Sequence, residues 1–284
     1  MVVVKLVSDW MSVSRLCSWL VVLALSVSAH GEGGESSGKS LVLVHGAHLT
    51  AESWDGVSFA LRAAGYDVLS VNLPGRGDDG VVATNVTLDS SSRALCTKVK
   101  ASEKGSKLSF VAHSQGGAVV NHLLGLCPEI TPEKIIYLAA VVPLDGEKPF
   151  DKLSKADEEN YYRGVVYDEA TGLMQINNPE GFLASFVSES LDEGSALGEE
   201  VMRGAVDEPA AIGDGVVALD VARYRGAEKY YIFTSKDKII SLATQKGIAE
   251  NVELVDSRIV DGGHLTMIVN PQSVSSILLE FLGR

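Results

Sequence analysis

An α/β domain, with a mostly parallel sheet, helices on both faces and a small helical lid, is the fold class that this sequence predicts. Three observations carry that expectation. Apolar runs and amphipathic stretches alternate from Ser40 to the end of the chain. The first run, Leu41-Val42-Leu43-Val44, is continuously apolar, as a strand covered on both faces must be. One stretch, between Pro143 and Arg225, breaks the alternation with short amphipathic pieces and turn residues.

The elements follow in order. After the strand at 41–44, Ser53 to Ala64 has helical spacing and stops at Gly65. Asp67 to Asn72 reads as the second strand, and the Pro/Gly/Asp-rich segment 74–80 as a loop. Leu88 to Ala101 is helical, Lys107 to Ala112 is the third strand, and Gly116 to Leu126 is the next helix. Lys134 to Ala140 is a fourth strand. Two late strands are expected at Lys229–Thr234 and Val252–Val260, with a closing helix at Pro271–Leu282. The region from about 144 to 225 lacks a clear strand. It is expected to be a helical insertion over the carboxyl edge of the sheet, where ligands bind in such folds.

The bulk properties suit one large domain. The 284 residues are 46% hydrophobic and 21% charged, ordinary for a globular enzyme. A formal charge of −13 argues against nucleic acid or an anionic membrane as partner, because both would repel it.

Residues 1–29 read as a signal peptide rather than as fold. Arg15 precedes the apolar run Leu20-Val21-Val22-Leu23-Ala24-Leu25, and Val27 and Ala29 fit a cleavage site before His30. The run is too short for a comfortable membrane span, so no stable membrane insertion is expected, although an uncleaved anchor is the competing reading. Met11 directly precedes the basic region and is a second candidate start. Residues 30–39 form a Gly/Ser/Glu-rich flexible linker, and 40–284 the folded domain. Export to the outside of the cell or to the periplasm would leave Cys96 and Cys127 as the mature cysteines, either as a disulfide or as two buried thiols. No Cys/His cluster has metal-ligand spacing, so no metal is expected.

The strongest chemical signal is Leu108-Ser109-Phe110-Val111-Ala112-His113-Ser114-Gln115-Gly116-Gly117. An apolar strand runs into a small-x-Ser-x-small turn and then a helix, which would lift the Ser114 hydroxyl above the sheet on a strained elbow. The helix behind it aims N–H groups at a reacting oxygen. A second signal, Val44-His45-Gly46-Ala47-His48, ends the first strand. Acyl transfer needs two donors for its oxyanion, and the N–H groups of Ala47 and Gln115 are the candidates. His45 and His48 also invite a metal or base reading, against a structural one in which His45 braces the loop.

Six histidines compete for the role of base. His30 is in the linker, His45 and His48 are in the oxyanion loop, His113 flanks the nucleophile, and His122 is inside a helix. His264 remains, in the loop Asp261-Gly262-Gly263-His264-Leu265. The acid should follow the penultimate strand, which selects Asp237, with Asp145 as the alternative.

These motifs resemble the α/β-hydrolase superfamily: V-H-G-A at 44–47, N-L-P-G-R-G at 72–77, A-H-S-Q-G-G at 112–117, then K-D at 236–237 and G-G-H at 262–264. Within it, H-G-A with Trp54, L-A-A-V-V-P-L-D-G at 138–146 and Y-Y-I-F-T-S-K-D at 230–237 resemble the plant methylesterase and hydroxynitrile lyase group and its bacterial esterase relatives. The resemblance spans 40–284 apart from the lid. It implies cofactor-free hydrolysis of a small-molecule ester through an acyl-enzyme, with the triad on Ser114, His264 and Asp237. The lyases carry Thr at the position of Gly46 and Lys at that of Leu265, so the resemblance favours an esterase. A non-catalytic ligand-binding protein on the same fold is the alternative from another class.

Overall fold

The computed structural model describes residues 39–76, 79–102, 107–187 and 195–284. The expected signal segment and residues 30–38 of the expected linker lie outside the described residues. The last residue assigned to that linker, Lys39, instead opens the first strand.

Strand β1 (Lys39–Val44) leads through a 3-10 turn (Ala51–Trp54) into α1 (Asp55–Ala63) and β2 (Asp67–Val71). Then come α2 (Leu88–Ala101), β3 (Lys107–His113), α3 (Gly116–Leu126) and β4 (Lys134–Leu138). The insertion carries α4 (Lys155–Tyr161), β5 (Val165–Asp168), β6 (Leu173–Ile176), α5 (Pro179–Phe186), α6 (Ala196–Gly204) and β7 (Glu208–Pro209). The chain returns through α7 (Val221–Gly226), β8 (Glu228–Thr234), α8 (Leu242–Ala249), β9 (Leu254–Val260), α9 (Thr266–Val269) and α10 (Pro271–Leu282).

The main sheet has the order β2-β1-β3-β4-β8-β9, and every pairing in it is parallel. Leu41 to Val44 and Ile135 to Leu138 are buried at every position, so helices must cover both faces. Local signals set the helix ends. Thr87 and Ser90 form a reciprocal cap at the start of α2. Pro271 occupies the first turn of α10, behind an Asn270 side chain that accepts from the Ser273 N–H. Because the strands are parallel, the ends of β3, β8 and β9 share one edge. Thr234 and Val260 are register partners there.

Cys96 on α2 and Cys127 at the end of α3 are joined in a disulfide, with their Cα atoms 6.3 Å apart. The two helices pack together, which brings the thiols within reach.

The insertion departs from expectation in one respect. Besides helices it contains a three-stranded antiparallel sheet, β5-β6-β7. Its strands are only four, four and two residues long, and Val166 and Tyr167 are exposed, so no run of buried residues announces them. Among the described residues no helix is long and apolar enough to cross a membrane.

Candidate active site

Ser114 occupies the turn between β3 and α3 with φ at 52°, in the left-handed region that an L-residue enters only at a cost. Two backbone hydrogen bonds with the exit of the neighbouring strand β4 hold it there. Ser114 N–H donates to Leu138 O (3.2 Å), and Val141 N–H donates to Ser114 O (3.2 Å). The glycines behind the elbow allow α3 to start this close to the sheet. A Cβ on Gly116 would lie 2.8 Å from the carbonyl oxygens of Val44 and His45, and one on Gly117 would lie 2.4 Å from Val141 O.

The side chain of His264 meets that of Ser114 at this edge. Its Nε2 accepts from Ser114 Oγ at 2.9 Å, and its Nδ1–H donates to Asp237 Oδ2 at 2.8 Å. Asp237 lies three residues past β8, and its side chain is inaccessible to solvent. Its Oδ2 also accepts from Thr234 Oγ1 (2.9 Å), and its Oδ1 accepts from the N–H groups of Ile239 (2.8 Å) and Ile240 (2.9 Å). These donors stabilise a buried carboxylate and aim it at the imidazole. Asp145 accepts from Leu219 N–H (2.9 Å), and Asp261 binds Ser235 and Lys236 at the surface. Among the described residues neither is hydrogen-bonded to the His264 ring.

Ala47 and Gln115 both line the cleft in front of Ser114. Among the described residues, neither backbone N–H has an acceptor. Two unspent donors beside a nucleophile are what a developing oxyanion requires. Gly46 is fixed by close approach, since a Cβ there would lie 2.5 Å from Ser114 Cβ and 2.9 Å from His113 Nδ1. Leu265 is fully buried, so no charged side chain follows His264.

The other described histidines have structural partners. His45 Nδ1–H donates to Gly46 O (2.9 Å), and its Nε2 accepts from Leu73 N–H (3.1 Å), which braces the loop. Burial, reinforced by the Arg76 guanidinium, pushes its pKa down to about 3. His48 Nδ1–H donates to Val206 O (2.9 Å), and its Nε2 accepts from Tyr161 OH (2.8 Å). Burial pushes it to about 3 as well. His113 Nε2–H donates to His264 O (2.9 Å); burial, and then the neighbouring His264, hold its pKa well below the usual range. All three imidazoles are therefore neutral near pH 7. His122 Nδ1 accepts from Ala218 N–H at 2.9 Å. Among the described residues no group of three or more His, Cys, Asp or Glu could hold a metal ion.

Sequence reasoning missed three residues at this site: Arg76, Tyr161 and Glu208. Arg76 forms a two-pronged ion pair with Glu208, and both are buried. Tyr161 and Glu208 line the cleft. Arg76 stands inside the quoted N-L-P-G-R-G motif, but nothing in the spacing ties it to a glutamate 132 positions away. The cleft is otherwise walled mainly by apolar side chains, among them Val141, Phe150, Leu153, Met174, Phe186 and Ile239.

A family model described as the alpha/beta hydrolase family matches residues 41–276. Esterase PIR7B of Oryza sativa subsp. japonica is 26% identical over 273 residues, covering 89% of this chain and 99% of that protein. Among solved structures, an extracellular alpha/beta-hydrolase from a Paenibacillus species superposes with a TM-score of 0.72 at 22% identity, over 85% of this chain and 98% of that one. Polyneuridine aldehyde esterase gives a TM-score of 0.71 at 23% identity, over 86% and 98% respectively. Similarity at that level between structures establishes the shared fold.

Proposed function

The chain belongs to the alpha/beta hydrolase family, and on that premise we propose that it is a serine carboxylic ester hydrolase. Ser114 would be its nucleophile, His264 its base and Asp237 its acid. The observation that carries this reading is the hydrogen-bonded line from Ser114 Oγ to His264 Nε2 (2.9 Å) and from His264 Nδ1 to Asp237 (2.8 Å). The unengaged N–H groups of Ala47 and Gln115 face the same cleft.

The chemistry follows from that arrangement. His264 Nε2 takes the Ser114 proton as Oγ bonds to the ester carbonyl carbon. The tetrahedral oxyanion rests on the two N–H groups, and Asp237 stabilises the imidazolium. His264 then returns the proton to the departing alcohol, leaving an acyl-enzyme. Water repeats the sequence and frees the acid. Gly46 and Leu265 support hydrolysis over a lyase reaction. No side chain at 46 could fit beside Ser114 as it stands, and no cation follows His264.

The apolar cleft suits small to medium uncharged esters, an assignment supported by esterase names among the similar proteins. A panel of aryl acetates, methyl esters of aromatic acids, longer-chain esters and lactones provides the test. Turnover is expected on the smaller apolar esters. Inactivity across the panel, with Ser114 still labelled by a fluorophosphonate, would favour a ligand-binding protein on this fold instead.

The protein is exported in this reading, with cleavage near Ala29. The Cys96–Cys127 disulfide supports an oxidising destination. Protein recovered from outside the cytoplasm should begin at His30. Recovery of uncleaved chain from the cytoplasm alone would count against export.

A further inference from the structure

A buried ion pair is an expensive way to wall an apolar cleft. The desolvation of Arg76 and Glu208 roughly cancels their attraction, so stability alone gives little reason for the pair. What it delivers is geometry. Both residues are almost inaccessible, at 4% and 2% exposure. Arg76 Nε donates to Glu208 Oε2, and Nη2 donates to Oε1. The same two oxygens also reach the two loops that carry the unengaged N–H groups. His48 N–H, one residue past Ala47, donates to Glu208 Oε2 at 3.1 Å. The Gln115 side-chain amide, turned so that both its ends are satisfied, donates to Glu208 Oε1 at 2.8 Å and accepts from Gly213 N–H at 3.3 Å.

The β1 loop is gripped further at the same point. Val206 N–H donates to His48 O (3.0 Å), while His48 Nδ1–H returns a bond to Val206 O (2.9 Å). His48 holds a φ of 62°, a conformation that outside contacts must enforce. Ala47 and Gln115 belong to segments 68 positions apart, and one carboxylate from the insertion ties both. Arg76 has a second effect. An unpaired carboxylate this close to a developing oxyanion would oppose it, and the guanidinium cancels that charge.

We propose that Glu208, held and neutralised by Arg76, is a positioning residue that sets the spacing of the Ala47 and Gln115 N–H groups and so fixes the oxyanion geometry from the lid side. The proposal rests on the ester hydrolase reading. Displacing an oxyanion donor by a fraction of an ångström to an ångström costs turnover rather than ground-state binding, on the order of 100-fold.

The test uses the full chain, p-nitrophenyl acetate, and a trifluoromethyl ketone that adds to the serine as a hemiketal. The parent and Ser114→Ala come first. If the parent turns over nothing, the hydrolase reading fails and takes the proposal with it. With an active parent, the paired variant Arg76→Met/Glu208→Leu replaces the ion pair by apolar groups without stranding a charge. Its kcat should fall about 100-fold with KM within about threefold, and hemiketal affinity should fall by the same factor as kcat. A folded paired variant with kcat within threefold of the parent overturns the proposal alone. So does a loss confined to KM with hemiketal affinity intact. If the paired variant does not fold, Gln115→Met cuts only the elbow side of the clasp. It should lower kcat about tenfold, and an unchanged kcat overturns the proposal equally.

Discussion

Replacing Ser114 with alanine is expected to lower kcat on any ester the parent hydrolyses by about a million-fold, with the fold unchanged. The size follows from the proposed acyl-enzyme route, in which Ser114 Oγ would be the atom that bonds to the carbonyl carbon. Residual catalysis would come only from the oxyanion donors and from binding. The fold should hold because alanine meets the same left-handed φ of 52° as serine and loses a single hydrogen bond, to His264 Nε2. Steady-state turnover measured beside a melting curve separates the two effects. An alanine variant within tenfold of the parent would mean that another group makes the bond to carbon.

The second large effect is expected at Asp237. In Asp237→Asn the amide can keep an oxygen toward the Ile239 and Ile240 N–H groups, which leaves its NH2 facing His264. An NH2 cannot accept from Nδ1–H. The imidazole therefore shifts its proton to Nε2, where it can no longer take one from Ser114. A loss of about 10,000-fold in kcat is expected on that account. Asp145→Asn is the control: among the described residues Asp145 accepts only a backbone N–H from Leu219 in the insertion, so turnover should stay at the parent's level. The reverse pattern would reassign the acid to Asp145.

The legible features share one property: their physics is local in the chain. The continuous run Leu41 to Val44 announces a strand buried on both faces, and the structure gives it no exposed position. Pro271 and the amphipathic stretch behind it place the last helix at Pro271–Leu282, the bounds found. The Ser114 elbow is readable because the strand, the turn and the two glycines are contiguous. The insertion is less legible. Strands of two to four residues with outward-facing Val166 and Tyr167 give neither the length nor the alternation that marks a sheet.

By itself, then, the sequence determined the succession of the six main-sheet strands along the chain, most of the helices between them, and a short set of candidates for its chemistry. Periodicity and turn residues act within a few positions of one another, so one chain is enough to read them. The tertiary structure decided which side chains from distant segments meet. It placed Asp237 rather than Asp145 against His264, and it joined Cys96 to Cys127. It also paired Arg76 with Glu208 across 132 positions. Each of these depends on where a side chain ends up after distant segments pack, and spacing along the chain does not encode that distance.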